Sequence, residues 1–531
     1  MSDSLKPVGA MAGATLISRV LGMVREICYA RFMGDGLVAG AFVLAFMIPN
    51  LFRRLLGEGA LMAAFIPVFK AQEKTEGEKA MWETANALIS GLIVVLAVVV
   101  GVGLLGISVA LEWEWSAKTM LILKLLRWMF PYLLLICLVA VAMGVLNARG
   151  YFFLPALGAV LMNVVMIAAV LVVGPMIHGA GKWWSGEETD LEQTVFVLAI
   201  AVLVAGGLQL LYQLPTLWRV GYRPRWISPW RSDSMRTIVH RLGPGVLGVA
   251  AFQINVLVMY GIGFFVGDHV AASYGYAVRL LEFPQGLFAV SMATFLLPAL
   301  SGLAAEKKYG DFRIHIDDAA RHLLFVNLPA AVLLFVMAEP IVQLLFQYGA
   351  FDAKSTGRVV WALQCLAPSL PGYSLVLILA RAFYALGEVK TPVKISIACL
   401  GLNLVLALAL VFFFEENDRQ GAFGIANTIS VTLNAALLWR ALRRREELAP
   451  MVLPGLRRQL PLMAVLAVLA GVAAWGIGWG IGGDSVSVPA RLAKVFGPLL
   501  GAGAVYWSVS GWAGVDSARA IWGIFRLPRR K

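Results

Sequence analysis

The amino-acid sequence predicts an all-α polytopic membrane protein, and three observations lead to this fold class. Hydrophobic residues make up 60% of the 531 positions and charged residues only 14%, with a mean hydropathy of +0.80. Apolar runs long enough to span a bilayer recur about fourteen times. Patterns of the first half return in the second half, which indicates two six-helix pseudo-repeat lobes plus two C-terminal helices.

Apolar runs of about 20 residues place the transmembrane helices in order along the chain. The N-terminal residues MSDSLKPVGA have neither a basic region before a short apolar stretch nor a cleavage site, so no removable signal peptide is expected. The approximate cores of the predicted spans are 8–33, 38–56, 84–110, 121–147, 153–175, 192–214, 240–266, 270–300, 316–347, 356–386, 391–414, 421–441, 459–482 and 491–513.

Basic residues are segregated among the loops. Loops at 70–79, 218–241 and 440–458 are rich in lysine and arginine, whereas the intervening loops 186–193 and 414–420 are acidic. By the positive-inside rule the basic loops face the cytoplasm, and both termini are expected there. The net charge of +13 is therefore attributed to basic residues in the loops that are expected to face the cytoplasm. The tryptophan- and arginine-rich loop 218–241 is expected to rest on anionic lipid, and no nucleic-acid partner is expected.

An internal repeat organises the chain. Segment 32–67 aligns with 265–298, because both begin near a Gly-Asp pair and carry prolines at similar positions, and 147–163 resembles 380–403. The paired segments run in the same direction, so the repeats are parallel, and substrate sites in such folds lie between the lobes. The predicted domains are an N-lobe at 1–235, a C-lobe at 236–450 and two further C-terminal spans with a basic tail at 451–531.

Four arginines lie within or against the predicted spans, namely Arg19, Arg25, Arg53 and Arg279. An arginine at the middle of a bilayer costs about 3 kcal/mol even on a lenient insertion scale, so several of them indicate a water-filled cavity. A guanidinium makes two charge-assisted hydrogen bonds to phosphate oxygens, and a diphosphate can engage several arginines at once. The pattern predicts a transporter with an anionic ligand.

Carboxylates and prolines accompany these arginines in both lobes. Pro49 interrupts the second span because proline lacks a backbone donor, and Glu58 follows Arg54 at a spacing that permits an intrahelical pair. In the matching place of the second lobe, Arg279 precedes a carboxylate and a proline. The supporting residues are Glu26, Asn50, Arg54, Glu58 and Glu282, and the helix breaks are expected at Pro49 and Pro284.

Two other interpretations of the arginines stay open. Arginines near the ends of spans extend their side chains to lipid headgroups, and Arg54 is the strongest candidate for this behaviour. Arg279 and Glu282 can also form an internal ion pair. Both interpretations are compatible with a cavity.

Motifs of nucleotide hydrolysis, acyl transfer and metal binding are not found in the sequence. It contains no GxxxxGK[ST], GxSxG or HExxH run, and its five histidines show no ligand spacing. The four cysteines fall within predicted spans and are expected to be apolar packing residues. No metal, no cofactor and no catalytic residue is therefore expected.

Several segments together carry a family resemblance: SRVLGMVREICYARFMG (18–34), AFMIPNLFRRLLGEGALMAAFIPVF (45–69), YAVRLLEFPQGLFAVSMATFLLPALS (276–301) and EVKTPVKI (388–395). They closely resemble the MurJ or MviN family, the lipid II flippases of peptidoglycan synthesis. The resemblance runs over essentially the full chain. It implies the fold of the multidrug/oligosaccharidyl-lipid/polysaccharide (MOP) exporters, with the extra C-terminal pair forming a groove for a lipid tail.

The resemblance also implies a function for the arginines. The cavity arginines of the family match Arg19, Arg25, Arg53 and Arg279, and its functional glutamate matches Glu58. The expected activity is alternating-access transfer of the undecaprenyl-diphosphate-linked precursor lipid II from the cytoplasmic to the periplasmic leaflet of the bacterial inner membrane, with no enzymatic step. The expected partners are lipid II, membrane lipids and the cell-wall synthesis machinery, and the expected functional form is a monomer.

Two positions depart from the family pattern. Relatives often carry an acidic residue where this chain has Gly40 and another where it has Val278, so an ion-pair gate at those positions is in doubt here. The sodium site of some relatives uses an acidic seventh span, and this chain has no carboxylate between Gly243 and Val266. No sodium site is therefore expected.

Rival functions remain within and outside the same fold. A flippase for another lipid-linked oligosaccharide shares the cationic cavity, whereas a drug or cation antiporter should carry unpaired carboxylates there. A cell-wall glycosyltransferase or a scaffold is the rival from another class, and the lack of an acidic metal motif disfavours the enzyme.

Overall fold

The computed structural model describes residues 2–54, 60–231, 233–286, 290–481 and 487–519. All regular elements within these ranges are helices. The chain divides into two compact units, the first formed by Met1–Ala272 with Tyr348–Phe351 and the second by Ser273–Gln347 with Asp352–Lys531. The predicted all-α fold class is confirmed.

The first unit is built from long apolar helices joined by short turns. Its helices are α1 (Ser2–Met33), α2 (Leu37–Phe52), α3 (Ala60–Thr75), α4 (Glu78–Ala110), α5 (Ala117–Met129), α6 (Tyr132–Ala148), α7 (Phe153–Ala168), α8 (Gly174–His178), α9 (Ala180–Trp183), α10 (Glu188–Thr194), α11 (Phe196–Arg219) and α12 (Asp233–Val266). Helix α1 packs along α7, and α11 packs against α6 and α7. Helix α12 packs against α2 and α3, which places the seventh predicted span in this unit.

The second unit contains the remaining helices, with the first turn of its first helix shared with the first unit. They are α13 (Val270–Pro284), α14 (Val290–Ala305), α15 (Tyr309–Val336), α16 (Ala338–Leu345), α17 (Ala353–Leu366), α18 (Ser369–Ala385), α19 (Lys390–Leu410), α20 (Arg419–Arg443), α21 (Pro454–Gly480) and α22 (Val488–Trp512). The C-terminal helix α21 packs along α15 and α22, and Tyr506 of α22 donates a hydrogen bond to the Phe325 carbonyl at 2.8 Å.

Membrane-spanning helices account for most of the described chain. By length and composition, eight described helices can each cross a membrane, and ten spans result when each bent helix pair is one span. Shorter apolar helices lie at Leu37–Phe52, Phe252–Val266 and Phe295–Ala305. The predicted span cores fall on helices wherever the structure describes them, although several of these spans are interrupted.

The interruptions recur six spans apart. The fourth span is bent by 45° between α5 and α6, and the tenth by 44° between α17 and α18. Pro131 and Pro368 stand at the two bends, where a missing backbone donor weakens the helix. Wide π-type turns also follow α2 at 53–54 and α13 at 285–286. These matched irregularities agree with a pseudo-repeat of six spans.

The predicted domain boundary at 235 does not coincide with the division between the compact units. That division falls between Ala272 and Ser273, because α12 packs on helices of the first unit. The predicted lobes describe the sequence repeat, and their use as moving bodies stays a prediction.

Candidate functional site

Helix α1 carries two of the membrane-embedded arginines. Arg19 is partly buried, and within the described ranges its side chain forms no hydrogen bond or ion pair. Arg25 donates from Nη1 to Asn163 Oδ1 at 3.1 Å and from Nη2 to Glu26 Oε1 at 2.6 Å. Its guanidinium carbon also lies 5.5 Å from the centre of the Tyr29 ring. Arg25 is thus fixed in orientation by three neighbours.

Asn163 of α7 is a site residue that the sequence analysis did not single out. It is 5% exposed, accepts the Arg25 hydrogen bond, and donates from Nδ2 to the Ser18 carbonyl at 3.0 Å. Asn163 therefore joins α7 to α1 at two points, the Ser18 carbonyl and the Arg25 side chain. An asparagine in the middle of an apolar span was the available signal, but its partners are far away in the sequence.

The end of α2 brings three predicted site residues together. Pro49 is buried inside α2, and the Arg53 backbone amide closes the last turn by donating to the carbonyls of Pro49 and Asn50. The Arg53 side chain donates from Nε to Asn50 Oδ1 at 2.7 Å. The acceptor in this bond is a neutral amide. The helix continues through Pro49 to Phe52, so no break occurs at the proline itself, and a π-type turn follows at 53–54.

Arg54 of the π-type turn contacts helix α12. Its exposed side chain donates from Nη1 to Gln253 Oε1 of α12 at 3.0 Å. Glu58 lies outside the described residues, so the expected pair with Arg54 stays a prediction.

Arg279 and Glu282 of α13 form the ion pair that their spacing allowed. The distance from Nη1 to Oε2 is 2.9 Å, and the side chains are 46% and 49% exposed. Such an open pair lets water and ligands reach the guanidinium. Pro284 is the last residue of α13 and precedes the second π-type turn, so this predicted helix break is found.

Arg53 and Arg279 are spaced differently from the prolines of their helices. Arg53 lies four residues after Pro49, which is inside α2, whereas Arg279 lies five residues before Pro284, the last residue of α13. The match between the two arginines in the two lobes stays a prediction.

A polar pair joins two helices of the second unit. Tyr373 of α18 donates from its hydroxyl to Asn427 Oδ1 of α20 at 2.9 Å. Sequence reasoning missed this pair because neither residue carries a charge or stands in a recognisable motif.

The expected departure from the family pattern at Gly40 has a packing explanation. A Cβ atom at this position would lie 2.9 Å from Cδ2 and 3.3 Å from Cε2 of Phe264, which is fully buried in α12. A carboxylate there would require the close approach of α2 and α12 to open. Val278 is partly buried beside Arg279, and nothing in the structure explains a valine where an acidic residue is expected in relatives.

Other residues with possible metal or redox chemistry are engaged in packing or in local bonds. Arg321 contacts the carboxylates of both Asp317 and Asp318, and His315 and His322 each have Nδ1 beside a backbone carbonyl oxygen of the same helix. Within the described residues no group of three or more histidine, cysteine or acidic side chains could hold a metal ion.

Comparison with known proteins identifies the family. The family model described as lipid II flippase MurJ matches residues 29–481. The chain belongs to the lipid II flippase MurJ family. Lipid II flippase MurJ of Burkholderia cenocepacia is 34% identical over 476 residues, which cover 88% of each chain. A probable lipid II flippase MurJ of Vibrio cholerae is 32% identical over 459 residues, which cover 83% of each chain.

Solved structures agree with the MurJ fold. A lipid II flippase MurJ in an inward closed conformation matches with a TM-score of 0.77 at 20% identity, covering 95% of this chain and 99% of that chain. An inward-facing multidrug resistance transporter of the MATE family in the MOP superfamily matches with a TM-score of 0.63 at 14% identity, covering 82% and 97%. The expected MOP-exporter fold is confirmed.

Proposed function

We propose that this chain transfers lipid II across the bacterial inner membrane, from the cytoplasmic to the periplasmic leaflet. Membership of the MurJ family across residues 29–481 is the observation that carries this proposal. The chemistry of the described arginines supports it, because guanidinium groups inside a membrane protein need an anionic partner or water. Lipid II supplies a diphosphate at the boundary between its headgroup and its lipid tail.

The arginines have different roles in binding the diphosphate. Arg25 and Arg53 are held by the amides of Asn163 and Asn50, so they are oriented before the substrate arrives. Arg19 and Arg279 are more available, since the first has no described partner and the second is 46% exposed. Preorganised and adaptable donors together can surround an anion without a large ordering cost.

The transport cycle is alternating access. The diphosphate would bind to the arginines while the headgroup crosses the membrane, and release on the periplasmic side would free them for the next cycle. An inside-negative potential favours outward movement of an anion by about 2.3 kcal/mol per charge per 100 mV. The lipid tail would stay in the bilayer beside α21 and α22, where Trp475 and Trp479 are exposed.

Depletion of the protein in living cells tests the function directly. Lipid II should accumulate in the cytoplasmic leaflet, because its synthesis continues while its transfer stops. Leaflet-specific labelling of lipid II, before and after depletion, measures this distribution. An unchanged distribution, or accumulation in the periplasmic leaflet, would overturn the proposal.

The MATE-like fold keeps drug or cation antiport as the second candidate. Such an antiporter needs a carboxylate that exchanges protons or cations, whereas the described membrane-embedded charges are dominated by arginine. Drug-dependent proton release from reconstituted protein would favour this rival. Formation of polymer from lipid II by purified protein alone would instead favour a glycosyltransferase.

The proposal also covers the orientation of the chain in the membrane and its oligomeric state. We place both termini in the cytoplasm, since the basic loops share that face under the positive-inside rule. We also propose that a monomer is sufficient for transfer, and that the cell-wall synthesis machinery is a partner without being part of the transport pathway.

A further inference from the structure

The connection between α11 and α12 is fixed to α4 by buried polar side chains. We call residues 220–231 the bridging segment. Asn86 of α4 is 4% exposed, donates from Nδ2 to the Arg223 carbonyl at 3.0 Å, and accepts from the Arg225 amide at Oδ1 at 3.0 Å. One turn later, Ser90 Oγ accepts from the Ile227 amide at 3.3 Å. Three backbone contacts therefore hold a segment that has no helix of its own before Pro229.

Close packing reinforces this attachment. A Cβ atom on Gly91 would lie 3.0 Å from Cβ of Pro229, so α4 and the bridging segment touch at a glycine. Tyr222 is 5% exposed, and its ring centre lies 5.8 Å from that of Trp82. The segment is thus a preformed part of the first unit.

The outer side of the segment presents aromatic rings and free cations. Trp226 is 68% exposed and Trp230 is 77% exposed. The side chains of Arg225 and of Arg219, the last residue of α11 directly before the segment, are exposed. Neither forms a hydrogen bond or ion pair within the described chain. Arg223, by contrast, folds back onto the carbonyls of Trp218 and Tyr222.

The position of the segment along α4 sets its depth in the membrane. The outward aliphatic side chains of α4 begin at Val95 and continue through Val98, Val102, Leu105 and Val109, all at least 48% exposed. Ser90 lies five residues before Val95, and this corresponds to about 7.5 Å along a helix. The bridging segment therefore crosses α4 at the level of the lipid headgroups, where tryptophan and arginine are favoured.

We propose that the bridging segment is a built docking surface for anionic phospholipid headgroups of the leaflet on the basic-loop side. Trp226 and Trp230 insert into the interface, and Arg219 and Arg225 contact the headgroup phosphates. Buried Asn86 keeps the surface in place. This inference goes beyond the proposed function, because the lipid bound here is a structural phospholipid and not the transported substrate.

Tryptophan quenching by brominated lipids tests the location. The full-length protein and its Trp226→Phe/Trp230→Phe variant are placed in nanodiscs of one fixed composition of phosphatidylcholine and phosphatidylglycerol. In one set of nanodiscs the phosphatidylcholine carries bromine near the headgroup, and in the other set the phosphatidylglycerol does. The quenching of the parent protein minus that of the variant reports Trp226 and Trp230. Stronger quenching by brominated phosphatidylglycerol is expected. Equal quenching by both lipids, or none, would overturn the proposal.

Charge variants test the anion preference. Arg219→Gln/Arg225→Gln should reduce the phosphatidylglycerol excess about five-fold or more, since each basic residue near an anionic surface contributes roughly that factor. The matched control is Arg440→Gln/Arg443→Gln at the exposed end of α20, which should leave the difference signal unchanged. An equal loss in both variants would mean a general effect of net charge and would contradict a site on the bridging segment.

The attachment itself can be tested at Asn86. Asn86→Ala should lower the quenching while the segment remains chemically identical, because the backbone around Arg223 and Arg225 is released. A well-folded Asn86→Ala protein with unchanged quenching would contradict the positioning role. If the segment binds a single-stranded RNA probe and shows no preference between the two lipids, the proposal of a lipid partner is contradicted.

Discussion

At the scale of single residues, asparagine amides orient two of the membrane-embedded arginines. Arg25 donates to Asn163 and also pairs with Glu26, and Arg53 donates to Asn50. An amide restricts the direction of a guanidinium without adding a negative charge beside it. These bonds therefore orient both guanidinium groups before an anionic ligand would bind.

Removal of the Asn163 amide should destabilise the junction of α1 and α7. Asn163→Leu leaves the Arg25 Nη1 donor and the Ser18 carbonyl without this partner, and each such loss costs about 1–3 kcal/mol. Thermal unfolding of the purified protein measures the effect. Val164→Ala, at a neighbouring exposed position of α7, is the control. If Asn163→Leu unfolds at the same temperature as Val164→Ala, the Asn163 amide does not contribute to stability.

A methyl group at position 40 should also be costly. Gly40→Ala places Cβ 2.9 Å from the fully buried Phe264 ring, and overpacking of this kind costs about 1–3 kcal/mol. Gly101→Ala in α4 is the matched control, because a Cβ there meets nothing within 4 Å. The first variant should melt at a lower temperature and the second should not. Similar melting of the two variants would disprove the packing explanation.

Residue contacts differed in how well the sequence predicted them. The Arg279–Glu282 pair follows from helical spacing, which left it open as one interpretation, and the structure contains it. The bond between Arg25 and Asn163 joins residues 138 positions apart and depends on how α1 packs against α7. Periodicity within one helix carries no information about such a partner.

At the scale of helices, the bends show why proline alone does not predict a break. Pro131 and Pro368 lie at bends of 45° and 44°, whereas Pro215 and Pro329 lie inside continuous helices. A missing donor permits a kink, but neighbouring helices decide whether the kink forms. The span positions were therefore predictable, and their internal geometry was not.

The start of α21 should depend on a carboxylate of α15. Asp317 accepts hydrogen bonds from the Gly455 and Leu456 amides at 2.9 and 2.8 Å, and so caps the helix from outside. Asp317→Ala should cost about 0.5–2 kcal/mol, the range for a lost cap. Hydrogen exchange at the amides of residues 455–459 should accelerate. Asp311→Ala, exposed in the first turn of α15, is the control, and equal exchange in the two variants would refute the cap.

The basic cluster at the end of α3 should respond to acid. A hydrogen bond from Lys70, followed by the nearby charges of Lys70 and Arg149, holds the pKa of Glu73 below its ordinary value of 4.5 despite some desolvation. A carboxyl with a lowered folded pKa contributes stability above its unfolded pKa, and loses that contribution as the pH falls through the folded value.

Unfolding temperature as a function of pH therefore tests Glu73. The difference between the parent protein and Glu73→Gln should be constant above pH 4.5 and should disappear in more acidic buffer. The effect should be small, because exposed ion pairs contribute little. A difference that grows on acidification would contradict the direction of the pKa change.

At the scale of the whole molecule, the family motifs predicted more than the apolar pattern did. Hydropathy predicted membrane helices and their order, while the motifs in 18–34, 45–69 and 276–301 predicted the MurJ family, which the match over 29–481 confirms. The division into compact units could not be read from the sequence. It depends on α12 packing against α2 and α3, a tertiary choice that a repeat alignment does not contain.

The central claim is that the membrane-embedded arginines carry the diphosphate of lipid II. The measurement is the rate at which lipid II crosses proteoliposome membranes containing the purified protein, compared among parent, Arg279→Ala, Arg19→Ala and the control Arg127→Ala, whose side chain is exposed on α5. Loss of a charge-assisted contact in the transport step should slow the two site variants roughly ten-fold or more. Both site variants should therefore be slow, while Arg127→Ala should keep a normal rate. A full rate in Arg279→Ala or Arg19→Ala would contradict the central claim.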